Sequence, residues 1–550
     1  MSSDSTTAEE TPWWRNAVVY QVYLRSFADG NGDGTGDIAG LRSRLDYLHT
    51  LGVDAIWINP WYQSPLADGG YDVSDYRQID DRYGTIAEAE LLISEAKGRD
   101  IRVIVDMVPN HTSEQHRWFT EAKAAPIGDP SRSRYHIMAG RGPDGSKPPT
   151  DWTSIFGGPA WTRLDDGEWY LHIFASEQPD LNWTHPEVRQ EFESVLRFWL
   201  DLDVDGFRID VAHGLVKDPE FPDLGDEHYD LLSSSRQIDH PFWDRDGIHE
   251  IVRSWRKIVD EYGQDRMMVA EAWVPRDRLP LYLRPDKYHQ SFNFDLLAAE
   301  WDPIEFCEVI EVASKAAASV GSSPTWVLSN HDVMRATSRY GLAPDANWRT
   351  WPITGPASDL DPKLGLRRAR AAALILLGLP GSSYIYQGEE LGLPEVWDLP
   401  TDVLDDPVWE RSGGEQKGRD GCRVPIPWSL SGPSSGFGDG PSWLPQPETW
   451  PSLSVEAQQD DEESTLNLFR QVISLRRKWA AVDEEITVVP LLASNVVSYR
   501  RGTGLTCIAN MGTKPVALPK DANVLIASQS DALTGGKLAP DCAVWVHATS

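Results

Sequence analysis

The sequence predicts an α/β protein built on a (β/α)8 TIM barrel, with an inserted subdomain after the third strand and a C-terminal antiparallel β domain. Three observations predict it. Short runs rich in β-branched and aromatic residues alternate with helical patterns over most of the chain. Eight such runs occur before the pattern changes near residue 483. They read as near-continuous apolar stretches rather than strict alternation, as strands buried on both faces do.

The expected strands cover residues 17–27, 53–60, 101–109, 204–211, 266–273, 291–297, 325–329 and 381–386. Between the first two, Ile38, Leu41, Leu45 and Leu48 form a helical stripe, and Gly52 follows where a left-handed residue can close the helix. In such a barrel the chemistry belongs to the loops at the C-terminal ends of the strands. Residues 1–110 and 186–482 then make the barrel, and 111–185, rich in Gly, Pro, Trp and Asp, make the inserted subdomain. Residues 393–460, dense in Pro, Ser, Gly and Trp, read as an elaborated active-site loop. Leu468, Val472, Leu475 and Trp479 keep helical spacing and close the barrel. Turn-separated strands at 486–492, 496–500 and 505–509 open the β domain, 483–550.

Composition limits the partners. The chain carries 51 Lys and Arg against 84 Asp and Glu, a net charge of −33, which repels phosphate backbones and anionic membranes. Neither nucleic acid nor a membrane is therefore an expected partner. The four cysteines, Cys307, Cys422, Cys507 and Cys542, are widely spaced and form no CxxC pair, as reduced thiols do. The polar segment 1–11 lacks the basic and apolar regions of a signal peptide, so the expected location is cytoplasmic. Twenty-four tryptophans offer flat faces to sugar rings, although indoles also fill cores.

Acids stand at four expected strand ends: Asp106-Met-Val-Pro-Asn110-His111, Gly206-Phe-Arg208-Ile-Asp210, Ala270-Glu271-Ala-Trp273 and Ser329-Asn330-His331-Asp332. Any one of them is as easily a helix cap as a catalytic group. Four together, each after an apolar strand, point to one polar cleft.

With Val19-Tyr-Gln-Val-Tyr-Leu-Arg-Ser-Phe27, Gly70-Tyr-Asp-Val-Ser-Asp-Tyr76, Gln178-Pro-Asp-Leu-Asn-Trp183, Tyr386-Gln-Gly-Glu-Glu390 and Arg419-Asp-Gly-Cys-Arg423, these motifs cover essentially the whole chain. The chain resembles glycoside hydrolase family 13, the α-amylase family, in its oligo-1,6-glucosidase and α-glucosidase branch. The resemblance implies a small-molecule oligosaccharide substrate and a retaining α-glucosidase with Asp210 as nucleophile, Glu271 as general acid/base and Asp332 as third carboxylate. A retaining glycosidase needs two carboxyl groups ~5–5.5 Å apart, one to form a glycosyl ester and one to protonate the leaving oxygen. Arg208, two residues before Asp210, is placed to hydrogen-bond the nucleophile and keep it ionised; Glu271 must instead hold a proton. The resemblance further implies a terminal-glucose pocket of Asp68, Tyr71, His111 and His331, with Tyr71 as stacking platform. It adds Arg423 at that pocket and makes Phe174 and Gln178 candidates for the aglycone side.

Asp29, Asn31, Asp33, Thr35 and Asp37 place oxygens at alternate positions, as a hard-cation loop requires. Position twelve is Gly40, so this is not an EF-hand. The loop resembles the structural calcium loop of this branch, with the Thr35 carbonyl completing the set. Magnesium suits the same oxygens, and a Gly-rich turn with Asp37 capping the next helix is the plainer reading. No organic cofactor is expected.

Specificity is less legible. In this branch valine after the nucleophile tracks α-1,6 cleavage, and Val211 stands there. Ala212-His213-Gly214 and Val333 depart from the oligo-1,6-glucosidase pattern and tip the expectation slightly towards α-1,4, with α-1,6 also served. A glucosyl transferase or sucrose isomerase on the same scaffold is the enzymatic alternative. A non-catalytic carbohydrate-binding or scaffold homologue is a remote one, because all three acids are present.

Overall fold

The computed structural model describes residues 11–225, 239–479, 486–488, 494–502 and 504–548. Its centre is a sheet of eight parallel strands: β1 (Val18–Val22), β2 (Ala55–Ile58), β3 (Arg102–Met107), β4 (Gly206–Ile209), β5 (Met267–Ala270), β6 (Gln290–Ser291), β7 (Thr325–Val327) and β8 (Ser382–Tyr386). Around the sheet the order is β6-β5-β4-β3-β2-β1-β8-β7, so chain neighbours are spatial neighbours. Side chains knit the seam between β6 and β7: the Thr325 hydroxyl donates to the Ser291 carbonyl at 2.5 Å, and the Gln290 amide donates to the Ser323 hydroxyl at 3.2 Å. Every residue of β1, β2, β4, β5 and β8 is buried, which is why these strands lack alternation.

The strands are shorter than the apolar runs that predict them. The run at 17–27 leaves β1 after Val22 and turns through a 3-10 segment, Leu24–Ser26. The largest departure is at 291–297. There β6 ends at Ser291, the Asn293 side chain accepts from the Asp295 N–H, and Phe294–Ala298 is a helix. A short apolar run does not distinguish a buried strand from a buried helix turn, and the Asn cap decides it. The stripe from Ile38 to Leu48 is buried as predicted but belongs to two helices, Ile38–Ser43 and Leu45–Leu51. Gly52 closes the second at φ +92°.

Residues 111–185 contain a three-stranded antiparallel sheet, Ile137–Ala139, Glu168–Leu171 and Trp161–Arg163. Trp152, Trp161, Leu171, Ile173 and Phe174 share one core with Val211, Phe242 and Trp243 from the loop after β4. The long loop after β8 reaches the same wall, with the Arg411 guanidinium donating to the Gly157 carbonyl at 2.7 Å. The two insertions therefore meet over the C-terminal ends of the strands.

The C-terminal sheet orders Ile486–Val488, Val496–Arg501, Leu505–Asn510, Cys542–Ala548 and Ala522–Ala527 side by side. It packs on the helix Pro362–Gly378, where Tyr499 Oη and Trp545 Nε1 donate to the carbonyls of Ile375 and Leu374. Thr465–Trp479 forms the predicted closing helix. The boundary expected at 482/483, and most of the strand expected at 486–492, lie outside the described residues. All four cysteines are free thiols. Among the described residues, no helix is long and apolar enough to cross a membrane.

Candidate active site

A cavity of about 450 Å³ opens at the C-terminal face of the barrel, within the usual range for small-molecule sites. Asp210, Glu271 and Asp332, remote in sequence, line it together with Asp68, Tyr71, His111, Phe174 and His331. These include all three predicted catalytic acids and five of the predicted substrate residues. Gln178, Arg208 and Arg423 are buried one layer behind these residues.

Arg208 stands beneath the two principal acids. Its Nη1 lies 2.6 Å from Asp210 Oδ1 and 2.8 Å from Asp106 Oδ1, and its Nη2 lies 2.7 Å from Glu271 Oε2. One guanidinium thus gathers three carboxylates from β3, β4 and the end of β5. Alternation along β4 explains the placement: Arg208 and Asp210 share a face two residues apart. The expectation that Arg208 keeps Asp210 ionised is modified by this sharing. Burial pushes the Asp210 carboxyl well above the ordinary range; Arg208 pulls it down, but its charge is divided and Glu271 and Asp106 push up. Burial likewise lifts Asp106 to about 6 against Arg208, Tyr71 and Trp57.

Glu271 is held from both sides. Its Oε2 accepts from the Val211 N–H at 3.1 Å and pairs with the Arg208 guanidinium, and its Oε1 accepts from Trp273 Nε1 at 3.2 Å. Val211 sits at φ +46°, a left-handed conformation that a β-branched residue adopts only under constraint. That turn, directly after the nucleophile, delivers the N–H to the acid.

Asp332 occupies a different electrostatic setting. Burial opposes its ionisation, but His331, Arg419, Arg423 and Arg208 outweigh it and hold the carboxyl well below the usual range. Arg419 Nη1 and Arg423 Nη2 lie 3.2 and 3.1 Å from Asp332 Oδ1. Burial in turn pushes the His331 imidazole well below its ordinary value. The Gln21 amide lies 2.8 Å from its Nδ1; an amide N–H2 only donates, so Nδ1 accepts and Nε2–H faces Asp332 Oδ2 at 3.3 Å.

Tyr71 stacks on His331 with ring centres 5.3 Å apart, and its hydroxyl donates to Asp106 Oδ2 at 3.0 Å. His111 Nε2 meets the Tyr71 carbonyl at 3.0 Å. The Gln178 carbonyl accepts from Ala175 N–H, and its amide donates to Asp68 Oδ2 at 3.1 Å and lies 3.0 Å from His111 Nε2, two residues that line the cavity. Behind this floor Lys217 Nζ pairs with Asp180 at 2.7 Å and donates to Asn110 Oδ1 at 2.9 Å, tying the β3 and β4 loops together.

Sequence reasoning missed Arg419, Asp406 and Trp273. Arg419 lines the cavity and joins Asp68, Asp332 and the buried Asp406. It stood in a motif already singled out, but loop spacing does not say which of its two arginines reaches the cleft. Trp273 closes the strand-end motif of Glu271 and carries the same ambiguity.

The loop after β1 holds Asp29, Asn31, Asp33, Thr35 and Asp37. Asp37 caps the helix through the Gly40 N–H at 2.6 Å, as the plainer reading has it, and Asp29 accepts from the N–H groups of Gly32 and Gly34. Burial pushes the Asp37 carboxyl up. Among the described residues no group of three or more His, Cys, Asp or Glu is arranged around an ion position. The donor chemistry, hard oxygens with lone pairs beyond those used by N–H groups, nevertheless fits a hard cation.

The family described as "Alpha amylase, catalytic domain" matches residues 21–485. The chain belongs to the α-amylase family. It is 34% identical to an oligo-1,6-glucosidase of Parageobacillus thermoglucosidasius over 85% of this chain and 84% of that one. It is also 34% identical to a probable α-glucosidase of Rhizobium meliloti, over 93% and 92%. The trehalulose synthase of Pseudomonas mesoacidophila MX-45 superposes with a TM-score of 0.85 at 30% identity, over 98% of this chain and 99% of that one. This α-amylase family member is a glycoside hydrolase, and its barrel is that of its relatives.

Proposed function

We propose that this chain is a retaining, exo-acting α-glucosidase that removes terminal α-linked glucose from short oligosaccharides. The observation that carries the reading is the convergence of Asp210 and Glu271 on the two terminal nitrogens of one buried guanidinium. Two carboxyl groups held by one guanidinium suit the close nucleophile–acid pairing of retaining enzymes. In the first half-reaction Glu271 protonates the glycosidic oxygen as the C1–O bond breaks and Asp210 forms an ester at C1. In the second, water attacks C1, Glu271 takes its proton, and the ester to Asp210 is released. A sugar seated on Tyr71 relieves burial strain at Asp210 by presenting an electron-poor C1 to the carboxylate. Asp332, held as an anion, binds ring hydroxyls and favours the oxocarbenium-like geometry.

The meeting of the two insertions over the cleft supports exo action, since it leaves a pocket rather than a groove. Both α-1,4 and α-1,6 bonds fall within the reading: the departures after Asp210 and Asp332 favour α-1,4, whereas Val211 and the oligo-1,6-glucosidase relative favour α-1,6. Hydrolysis of maltose, isomaltose, trehalose, sucrose, kojibiose and nigerose, with products resolved over time, tests it. Release of α-glucose from at least one disaccharide, slow action on soluble starch and loss of turnover in Asp210→Asn are expected. Starch cleaved as fast as maltose would refute exo action.

A second reading, glucosyl transfer or sucrose isomerisation, is supported by the trehalulose synthase neighbour. Isomerised or lengthened sugar as the main product at high substrate concentration would establish it. The free thiols suit a cytoplasmic enzyme. A structural calcium or magnesium ion would be held by Asp29, Asn31, Asp33, Asp37 and the Thr35 carbonyl, and would stiffen the β1 loop.

A further inference from the structure

We infer that Trp273 is a positioning residue that aims the Oε1 oxygen of Glu271 at the glycosidic oxygen, making Oε1 the proton-carrying atom. The inference rests on the assignment of Glu271 as acid/base and names the machinery that assignment lacks. Glu271 has two unequal oxygens. Oε2 is anchored by the charged Arg208 at 2.7 Å and by the Val211 N–H at 3.1 Å. Oε1 has one neutral neighbour, the Trp273 indole N–H at 3.2 Å, and Trp273 itself lines the cavity. A proton on Oε2 would confront a guanidinium and an N–H, which are donors with no acceptor to offer. A proton on Oε1 leaves a lone pair there for the indole, because a carboxylic oxygen accepts while it bears hydrogen. The indole contact therefore persists in both protonation states and holds the carboxyl plane steady through the transfer.

What fixes the indole is the element that departed from sequence expectation. Phe294, first residue of the helix that replaces the end of the sixth strand, stacks face to face on Trp273 with ring centres 3.8 Å apart and planes 7° from parallel. Phe294 in turn meets Phe292, which packs on Trp57 at 5.4 Å, and Trp57 Nε1 donates to Asp106 at 3.1 Å. Aromatic packing thus forms a second link between the acid and the carboxylate cluster, one that ends on Trp57 beneath the Arg208 guanidinium, 5.1 Å from the ring centre. Aligning a general acid belongs to the ~10²–10⁴-fold that general acid catalysis contributes, so losing the aim forfeits part of it.

The test compares Trp273→Phe with Glu271→Gln on two substrates: maltose, whose leaving oxygen needs a proton, and α-glucosyl fluoride, whose fluoride does not. Trp273→Phe keeps the stack on Phe294 and removes the N–H. It is expected to lower kcat/KM, which reports the first half-reaction alone, about 10-fold on maltose while kcat/KM on the fluoride changes less than about 3-fold. Phe294→Leu, which keeps the N–H and loosens its plane, is expected to show a smaller loss with the same substrate bias, and serves if the first variant folds poorly. Equal losses on both substrates, or no loss, in Trp273→Phe would overturn the inference. Glu271→Gln reports separately: a loss of kcat/KM there that is equal on both substrates would mean that Glu271 is not the acid at all.

Discussion

The guanidinium of Arg419 stands 2.6 Å from the carboxylate of Asp68, across 351 residues of chain. The same side chain reaches Asp332 at 3.2 Å and the buried Asp406 at 2.5 Å. An arginine from the long loop after β8 thereby joins two acids that line the cavity.

Replacing Arg419 by Ala is expected to lower kcat/KM on the preferred disaccharide by about 30- to 1000-fold, the cost of leaving partly buried carboxylates without their cation. Much of the loss should appear in KM if Asp68 serves, as the family resemblance implies, to bind substrate rather than to break the bond. Steady-state kinetics on maltose and isomaltose read the split. An unchanged KM would place Arg419 outside the binding site.

Arg208→Met is expected to do more. It leaves Asp106, Asp210 and Glu271 facing one another without their shared cation, and removing one partner of a buried ionic cluster costs about 3–5 kcal/mol. Thermal unfolding should show a lower Tm that partly recovers on acidification, as protonation of the carboxylates relieves their repulsion. Turnover should be negligible at neutral pH.

Burial gives the stability a pH dependence. Glu389 is lifted to about 8 and Glu395 to about 7 by desolvation, Glu389 against a hydrogen bond from Tyr386 N–H and Glu395 against one from Arg335 N–H. A carboxyl whose folded pKa exceeds its unfolded value, ~4.3, stabilises the fold fully below that value and loses the contribution as pH rises through the folded pKa. Tm is therefore expected to fall between about pH 5 and pH 8. In Glu389→Gln, which is neutral at every pH, the fall should be shallower, as calorimetry across that range would reveal. A steeper fall in the variant would contradict the buried, protonated state.

Chelation addresses the β1 loop. EDTA is expected to lower Tm by several degrees, with calcium restoring it, and the linkage is ~2.7 kcal/mol when the free ion exceeds its Kd 100-fold. Asp33→Ala should abolish the response, because the Asp33 carboxylate stands in the alternating donor set and bonds Asn31 and Thr35. A Tm indifferent to both chelator and calcium would leave the loop as a plain capped turn.

The amino-acid sequence determined the barrel, its insertions and the identity of its acids. Apolar runs such as those around Ile104 and Phe207, repeated eight times between helical patterns, read as strands buried on both faces, and the polar residues that follow them then lie at one rim. Local codes also held: Gly52 ends its helix at positive φ, and Asp37 caps the next element. Only the tertiary structure decided what each acid experiences. Arg208 is spread over three carboxylates, Asp332 gathers cations from a loop some 90 residues away, and an Asn293 cap converts a supposed strand into the helix that seats Trp273. The physical reason is range. Strand and cap preferences act within a few residues, whereas ionisation and aim depend on burial and on charges within a few ångströms, and those neighbours come from anywhere in the chain.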